Sequence, residues 1–270
     1  MELIIGSTTR PYAGLSYEEA FTRIGQAGYT DVAIFANQVG EEKVIPVDTE
    51  SAPEQIAAVK KAASDAGVNP SMLLGRAHLD KGLEGAVTDY KKLLDNAAAL
   101  GTKWILELGT GKEEFYEIYP KVMRQAAEHA QSVGVGISLK PHGGISLTAR
   151  ELVDLCAEVD HPSFSISYDP GNIIYYTKGE VRPESEVGEI ASLSSTAIIK
   201  DCVLHEDGRP DVNVTAGDGL VEFYTVLSGL VAGGFDGPLY VECVGSSDPS
   251  DVDRDLAHTL GYVKGVLTSL

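Results

Sequence analysis

The stretch Gly134-Val-Gly-Ile-Ser-Leu-Lys-Pro-His-Gly-Gly144 contains the pattern on which the fold of this chain depends. Gly134 follows an amphipathic segment, and a glycine at that point supplies the left-handed residue that ends a helix. The apolar run 136–140 predicts a short strand, and the glycine-rich residues after it predict a loop. A capping box, Thr148-x-x-Glu151, then marks the start of another helix. The stretch is therefore the centre of a helix–strand–helix unit.

The same unit recurs along the whole chain. Eight short runs rich in Ile, Val and Leu lack strict alternation of apolar and polar residues, as expected of strands buried on both faces. These candidate strands are residues 3–7, 31–35, 69–74, 104–108, 136–140, 163–168, 196–201 and 239–244. Further capping boxes begin at Ser16 and Ser51, and glycines at 28, 67 and 101 close helices just before a strand.

Regular alternation of strands and helices with short links predicts a parallel sheet. Eight units of about 34 residues each favour a closed barrel, so the predicted fold class is α/β, a (β/α)8 TIM barrel of eight parallel strands with residues 1–270 in one domain. A doubly wound open sheet is the alternative, but Gly6-Ser7-Thr8-Thr9 is not the glycine-rich dinucleotide loop expected after its first strand. The least regular stretch, 202–219, predicts an excursion after the seventh strand.

The composition limits the kinds of partner. Of the 270 residues, 43% are hydrophobic, which suffices for a sizeable core. Forty acidic against 21 basic residues give a formal net charge of -19, which repels phosphate backbones and anionic lipid surfaces. We therefore expect neither nucleic acid nor membrane as a partner, and no stretch approaches the length of a membrane span.

The cysteines and the N-terminal segment bear on the cellular compartment. Cys156, Cys202 and Cys243 lack CxxC spacing and are odd in number, which argues against a disulfide framework and a structural zinc site. The segment 1–7 has no basic region and only a short apolar run, which favours a first strand over a signal peptide. A cytoplasmic protein is the expectation.

Charged residues end four of the predicted strands. Lys140 ends the fifth, Asp169 follows the sixth, Lys200 lies near the end of the seventh and Glu242 lies in the eighth. The carboxyl ends of the strands form the mouth of a TIM barrel, where its active sites lie, so these side chains are expected to converge. Alternation along the seventh strand puts Ile198 and Lys200 on one face and Asp201 on the other.

These motifs, above all between residues 134 and 244, resemble the sugar isomerase/epimerase branch of the xylose-isomerase-like barrels. That family also contains inosose dehydratases, hydroxypyruvate isomerases and apurinic-site endonucleases. The resemblance implies a divalent metal (Mn, Mg or Zn) held by a Glu from strand five, an Asp from strand six, a His from strand seven and a Glu from strand eight. Asp169 and Glu242 match two of these positions, and a further His often lies three residues after the Asp.

Three positions depart from the family pattern. Lys140 stands where the first Glu is expected, Ile198 where the His is expected and Asn172 where the extra His often lies. Lysine and isoleucine cannot coordinate a hard cation. The resemblance therefore implies a weakened metal site or none, and a remodelled site would use Asp169, Glu242 and His142.

Lys140 has three possible roles. As the local cation between Asp169 and Glu242 it would stabilise an enediolate oxygen in place of a metal. With a depressed pKa it would form a Schiff base with a carbonyl substrate, and the alternative is a salt bridge that only holds the barrel mouth together. His142, on the loop after the fifth strand, is a candidate general acid or base, with a loop-capping role as the alternative.

Five further residues are candidates for substrate binding, each with a structural alternative. Asn172 binds a sugar hydroxyl or braces a turn, and Lys200 binds substrate oxygens or pairs with a carboxylate. Arg76 and His78 follow the third strand and contact substrate or lie on the surface. Glu107, on the fourth strand, faces either the barrel interior or a helix.

The function that this pattern favours is a sugar isomerase or epimerase that removes a proton next to the carbonyl of a small keto or aldo sugar, or of an oxidised sugar. Glu242 or Asp169 would be the base, although loss of the strand-five Glu raises the alternative of a metal-independent lyase, dehydratase or decarboxylase. A catalytically silent sugar-binding barrel is a second alternative, and a DNA-repair nuclease is disfavoured by the charge and the missing ligands. No basic cluster for a phosphate is evident, and a homo-oligomer is compatible with the sequence.

Overall fold

The computed structural model describes residues 3–270, so Met1 and Glu2 of the predicted N-terminal segment lie outside the described residues. Eight parallel strands pair in sequence order, and the last pairs with the first to close a barrel. The strands are β1 (Ile5–Thr8), β2 (Asp31–Ile34), β3 (Asn69–Leu74), β4 (Trp104–Glu107), β5 (Gly136–Leu139), β6 (Phe164–Tyr168), β7 (Ser194–Ile199) and β8 (Leu239–Val241). The predicted TIM barrel is confirmed, and each predicted strand overlaps an observed one.

Helices connect the strands and surround the barrel. They are α1 (Tyr17–Gln26), α2 (Pro53–Asp65), α3 (Gly82–Leu100), α4 (Tyr119–Val133), α5 (Ala149–Val159), α6 (Pro170–Thr177), α7 (Pro183–Ile190), α8 (Phe223–Ala232) and α9 (Pro249–Thr268). Short 3₁₀ turns lie at Arg10–Tyr12, Leu79–Lys81, Glu113–Phe115 and Ala191–Leu193. Among residues 3–270, no helix combines the length and the apolar character that crossing a bilayer requires.

The predicted helix boundaries follow local chemistry with one exception. Ser16 caps α1 by accepting the Glu19 N–H, and both bonds of the Thr148–Glu151 capping box are present at α5. The Ser51 prediction is wrong, because α2 begins at Pro53 and the Ser51 hydroxyl bonds to Asp48 instead. Proline suits the first helical position because the backbone N–H it lacks has no partner there in any helix.

Two antiparallel hairpins interrupt the repeat at the carboxyl side of the barrel. Asn37–Val39 pairs with Glu42–Val44 after β2, and Val203–Leu204 pairs with Pro210–Asp211 after β7. The second hairpin lies in the predicted excursion 202–219, whereas the first was not predicted. Both hairpins follow a strand end, so they border the barrel mouth.

Apolar side chains fill the barrel interior below the mouth. Phe35, Met72, Leu106, Ile198 and Tyr240 belong to one buried cluster, separate from the larger core between barrel and helices. A Cβ at Gly6 would lie 2.8 Å from the Tyr240 ring, so glycine in β1 is what admits this large side chain. The interior of the barrel is therefore a packed core and not an open channel.

Candidate active site at the barrel mouth

Four charged side chains meet above the apolar interior. All four are buried, and each directly follows the last residue of its strand: Lys140 follows β5, Asp169 follows β6, Lys200 follows β7 and Glu242 follows β8. Parallel strands bring their carboxyl ends to one rim, so residues far apart in sequence become neighbours. The predicted convergence of these four residues is present in the structure.

The four side chains form a closed ring of ion pairs. Lys140 Nζ lies 2.6 Å from Glu242 Oε2 and 3.1 Å from Asp169 Oδ2. Lys200 Nζ lies 2.6 Å from Glu242 Oε1 and 2.9 Å from Asp169 Oδ2. Each ammonium group thus bridges the same two carboxylates, which would otherwise repel each other at this depth.

The two lysines differ in their electrostatic surroundings. Burial lowers the pKa of Lys140 below its usual value and the positive charge of Lys200 lowers it further, against the attraction of Glu242 and Asp169. Burial also opposes the charge on Lys200, but Asp169 and Glu242 together raise its pKa above the usual value. Burial opposes the charge on Glu242 as well, yet Lys140, Lys200 and Arg10 hold its pKa well below its usual range. Lys140 is therefore the more readily deprotonated of the two ammonium groups.

The start of α6 holds two members of the ring in place. Asp169 is the N-cap of α6 and accepts the Asn172 N–H through Oδ1 at 3.0 Å. The Asn172 side chain donates to the Pro141 carbonyl and accepts from Lys200 Nζ at 3.0 Å. Asn172 therefore braces the turn, which was one of its two predicted roles, and also orients Lys200. Its binding of a sugar hydroxyl stays a prediction.

Arg10 is a further member of the site that the sequence analysis missed. Its Nη1 lies 2.8 Å from Glu242 Oε1 and also contacts Cys243 Sγ at 2.9 Å. Arg10 lies two residues after the end of β1. The criterion applied to the last four strands, a charged residue just past an apolar run, would therefore have found it. With Arg10 included, three cationic side chains face two carboxylates.

A cavity of about 270 Å³ opens above the ring. Lys140, Lys200, Glu242, Asn172 and Arg10 form its polar wall, and Asp169 lies beneath them, fully buried. The remaining lining residues are Phe35, Leu74, Leu108, His142, Tyr175, Tyr176 and Val212. We refer to this space as the mouth cavity.

His142 faces the mouth cavity as a neutral side chain. Burial, with the charges of Lys140 and Lys200, lowers its pKa to about 4. Its ring packs against Tyr176 with the centroids 5.2 Å apart, and it makes no side-chain hydrogen bond to any of residues 3–270. His142 is therefore an uncharged donor or acceptor at neutral pH, free to bond to a ligand.

Glu107 is not part of this site, which corrects the prediction that it binds substrate. Leu106 points into the barrel, and alternation turns Glu107 outward, where it accepts the Tyr90 hydroxyl of α3 at 2.9 Å and the Gly109 N–H. Burial raises its pKa to about 7. Glu107 thus joins strand to helix.

Arg76 and His78 are not brought to the mouth cavity either. Arg76 is exposed, and His78 pairs with Asp89 of α3, to which Lys81 also donates at 2.6 Å. The residues after β3 turn away into the Leu79–Lys81 turn and α3, so their side chains serve the outer layer. Neither residue lines the cavity, which corrects their prediction as substrate-binding residues.

The strand-seven residue that reaches the site is Lys200 and not Ile198. Ile198 belongs to the apolar interior cluster, whereas Lys200, two residues later on the same face, contacts both carboxylates. Asp201 points the other way, as predicted, and accepts the N–H groups of Cys202, Gly217, Gly219 and Val221. It fixes the glycine-rich turn after β7.

Comparison with known proteins agrees with this architecture. The profile of the xylose isomerase-like TIM barrel matches residues 21–262 of the chain. The chain belongs to the xylose isomerase-like TIM barrel family. A search of curated proteins finds no match.

Solved structures of this family superpose over nearly the whole chain at low identity. A xylose isomerase domain protein from Planctomyces limnophilus is 20% identical with a TM-score of 0.74, covering 97% of this chain and 95% of its own. A xylose isomerase-like TIM barrel protein from Mycobacterium smegmatis, in complex with magnesium, is 16% identical with a TM-score of 0.78, covering 99% and 97%. D-psicose 3-epimerase from Clostridium cellulolyticum H10, with D-tagatose, is 15% identical with a TM-score of 0.74, covering 98% and 99%. At these identities the likeness shows the fold alone.

The residues at the mouth do not fit the divalent metal that the family pattern implies. Lys140 Nζ lies within 3.1 Å of both carboxylates, so an ammonium group without a lone pair occupies the space between them. Lys200 stands on the other side of the same carboxylates. Within residues 3–270, His142, Asp169 and Glu242 do not form a cluster that could hold a metal, and neither does any other set of three or more His, Cys, Asp or Glu side chains.

Proposed function

We propose that this protein is an enzyme of the sugar isomerase and epimerase kind that works without a metal ion. Its substrate is a small keto or aldo sugar, or an oxidised sugar, and the reaction begins with removal of the proton next to the carbonyl. The observation that carries the proposal is the pair of ammonium groups, Lys140 and Lys200, each bridging Asp169 and Glu242 at the wall of the mouth cavity.

The lysines supply the positive charge that this reaction needs. Removing a proton beside a carbonyl moves negative charge onto the carbonyl oxygen, and fixed cations in a buried site stabilise that oxyanion. Lys140 and Lys200 are preorganised there by their carboxylate partners. Neutral His142 donates a further hydrogen bond to a substrate oxygen, because its pKa of about 4 leaves it uncharged at neutral pH.

Glu242 is the base in this proposal. Its Oε2 bonds only to Lys140 among residues 3–270, whereas Oε1 bonds to both Lys200 and Arg10. When Lys140 turns its hydrogen bond to the substrate oxygen, Oε2 loses its partner and becomes more basic at the moment the proton is removed. Asp169 lies fully buried beneath the cavity wall, and its part in the proposal is to hold the two ammonium groups in place.

The size of the cavity and the named neighbours support a small sugar. Ligand cavities usually span about 300–1,000 Å³, so the mouth cavity of about 270 Å³ suits a compact molecule. Structural neighbours carry the names D-psicose 3-epimerase, L-ribulose 3-epimerase and 3-keto-D-glucoside 4-epimerase. Such names suggest the reaction class for this chain without naming its substrate.

Solvent deuterium exchange tests the proposal. Chelator-treated protein is incubated in D₂O with a panel of ketoses, aldoses and oxidised sugars, and proton NMR follows loss of the signal next to each carbonyl. We expect exchange with at least one sugar, its persistence in the presence of chelator, and its loss in Lys200→Met but not in the exposed control Lys121→Met. Binding of sugars without exchange would refute the proposal and favour the catalytically silent sugar-binding barrel.

A second candidate, a metal-independent lyase, is favoured by the neighbouring charges of Lys140 and Lys200. A lysine next to another cation loses its proton more easily, and the free amine attacks a carbonyl carbon, expels water and leaves an iminium ion. That ion draws electrons from an adjacent bond, as elimination and decarboxylation require. Borohydride would reduce the iminium ion to a stable amine, and peptide mapping that finds no adduct on Lys140 with a turned-over substrate would exclude this route.

A further inference from the structure

We infer that the substrate carries a carboxylate group and that this group binds in a second cavity, between Arg10 and Lys43. The second cavity has a volume of about 330 Å³ and shares Arg10 and Glu242 with the mouth cavity. The inference rests on the proposed function in one respect, since it takes the bound anion to be the acid end of the sugar. The anion site itself depends only on the side chains of the second cavity.

Arg10 has unused donors on the side of the second cavity. Only its Nη1 is engaged, by Glu242 Oε1 and Cys243 Sγ, and neither Nε nor Nη2 donates to an atom of residues 3–270. The side chain is 38% exposed, whereas that of its partner Glu242 is 3% exposed. A guanidinium group held in place at one nitrogen and open at the others is suited to a carboxylate, which accepts two parallel hydrogen bonds.

Lys43 provides a second cation, from the hairpin strand Glu42–Val44. It is exposed, lines the second cavity, and forms no ion pair within the described part of the chain. Its sequence neighbours Glu41 and Glu42 line neither cavity. Lys43 therefore places a positive charge at the second cavity, and Glu242 is the one acidic side chain among the residues that line this cavity.

Hydroxyl groups complete the second cavity. Ser246 and Ser247, from the loop after β8, line it, and their hydroxyls bond to no atom of residues 3–270. The Ser246 backbone N–H is already used, since it donates to Asp255. Two hydroxyls, a guanidinium and an ammonium thus offer donors to one small space.

The balance of charge across both cavities favours an anion. Four cationic side chains, Arg10, Lys43, Lys140 and Lys200, face two carboxylates, Asp169 and Glu242, in a chain whose formal net charge is -19. A cleft of opposite sign to the rest of the surface concentrates ligands of complementary charge. A neutral sugar would leave this excess of positive charge uncompensated.

The two cavities also limit the distance between the carboxylate of the substrate and its carbonyl oxygen. Arg10 and Lys200 both bond to the same oxygen, Glu242 Oε1. Only this carboxylate therefore separates Arg10, at the acid site, from the ammonium group of Lys200, which would hold the carbonyl oxygen. Arg10 Nη1 lies 2.8 Å and Lys200 Nζ 2.6 Å from that oxygen, so a pentose or hexose acid is long enough to reach both cations. The substrate class is therefore a small keto or aldo sugar acid.

Matched pairs of sugars test the inference by titration calorimetry on the full chain. The probes are D-fructuronate with D-fructose, D-tagaturonate with D-tagatose, and D-glucuronate with D-glucose, each pair differing in one terminal carboxylate. We expect at least one acid to bind at least tenfold more tightly than its neutral partner, with an advantage that shrinks as salt is added. Lys43→Gln and Arg10→Gln should narrow the gap within that pair, and the exposed control Lys121→Gln should leave it unchanged.

Equal affinity within all three pairs, or no acid bound, would overturn the inference. Deuterium exchange on the same sugars separates this result from failure of the proposed function. If deuterium exchange occurs but the acids bind no more tightly than the neutral sugars, the acid substrate is refuted and the proposed reaction is retained. An acid preference without exchange retains the anion site and refutes the reaction.

Discussion

Lys140 and Lys200 are the residues on which the account depends. Each is 2% exposed and each contacts both Asp169 and Glu242, so four buried charges balance within one ring. Removing one partner from a buried ion pair leaves an uncompensated charge, which is costlier than removing the whole pair. The ring should therefore tolerate paired changes better than single ones.

Substituting Lys140→Met tests this arrangement. We expect the free energy of unfolding in urea to fall by about 3–5 kcal/mol, because Glu242 and Asp169 lose a shared cation in a dry site. Adding Glu242→Gln to the same chain should recover part of that loss. The exposed control Lys121→Met should change stability by less than about 0.5 kcal/mol, and a Lys140→Met chain as stable as wild type would show that the ion pairs do not form.

Glu107 makes the folding stability of the protein depend on pH. Burial raises its pKa from 4.5 to about 7, so the folded state binds a proton that the unfolded state has lost between these values. This contribution to stability is complete below pH 4.5 and is lost as pH rises through about 7.

Glu107→Gln should remove that dependence. The unfolding free energies of the wild type and the variant are measured between pH 4 and 8. Relative to the wild type, the variant should become more stable by roughly 3 kcal/mol from the low end to the high end of this range. Two curves that run parallel over this range would show that Glu107 is charged in the folded protein.

At the scale of elements, the contact between α6 and β7 positions the site. A Cβ at Gly171 would lie 2.6 Å from the Lys200 carbonyl oxygen and 2.8 Å from Lys200 Cγ, so only glycine lets α6 approach the strand end this closely. Asp169 and Asn172, on either side of Gly171, both bond to Lys200. The glycine therefore connects helix packing to the geometry of the ion pairs.

Gly171→Ala should destabilise the protein by about 1–3 kcal/mol through overpacking and reduce deuterium exchange by displacing Lys200. Gly188→Ala is the matched control, because Gly188 lies inside α7 and nothing lies within 4 Å of its added Cβ. The control should be neutral or stabilise by up to about 1 kcal/mol, since alanine is the better helix former. Equal melting temperatures for the two variants would contradict the close approach of α6 to Lys200.

The elements were the most predictable part of the molecule. Eight apolar runs and the glycines that end α3 and α4 reflect local rules, and the strands fell where those rules put them. The hairpin Asn37–Val44 was missed, because its short strands, with only Asn37 and Gln38 not exposed, carry no apolar pattern.

The site was predictable only where several strand ends carry charge. Lys140, Asp169, Lys200 and Glu242 could be grouped because the barrel topology brings strand ends together. The side on which Glu107 lies could not be settled, because one residue's shift in the strand end reverses its face. The partners of Arg10 and His78 also depend on how loops turn, which the sequence pattern does not encode.

For the whole molecule, the fold of the xylose isomerase-like family is retained, but the position expected for the strand-five Glu holds Lys140 and the position expected for the strand-seven His holds Ile198. Lys140 follows β5 and Lys200 follows β7, the strands from which the family pattern supplies a Glu and a His. An ion that needs oxygen or nitrogen lone pairs meets ammonium groups instead. The positive charge at the barrel mouth is therefore supplied by lysine side chains, where the family pattern implies a metal ion.

Manganese binding tests this claim most directly, because it needs no knowledge of the substrate. Titration calorimetry and elemental analysis after dialysis would compare the wild-type chain with Lys140→Glu/Lys200→His, which replaces the two ammonium groups beside Asp169 and Glu242 with a carboxylate and an imidazole. We expect no bound manganese in the wild type and one ion per chain in the double variant. One tightly bound manganese in the wild-type chain would contradict this expectation, because the ion could enter only by displacing the lysines from both carboxylates.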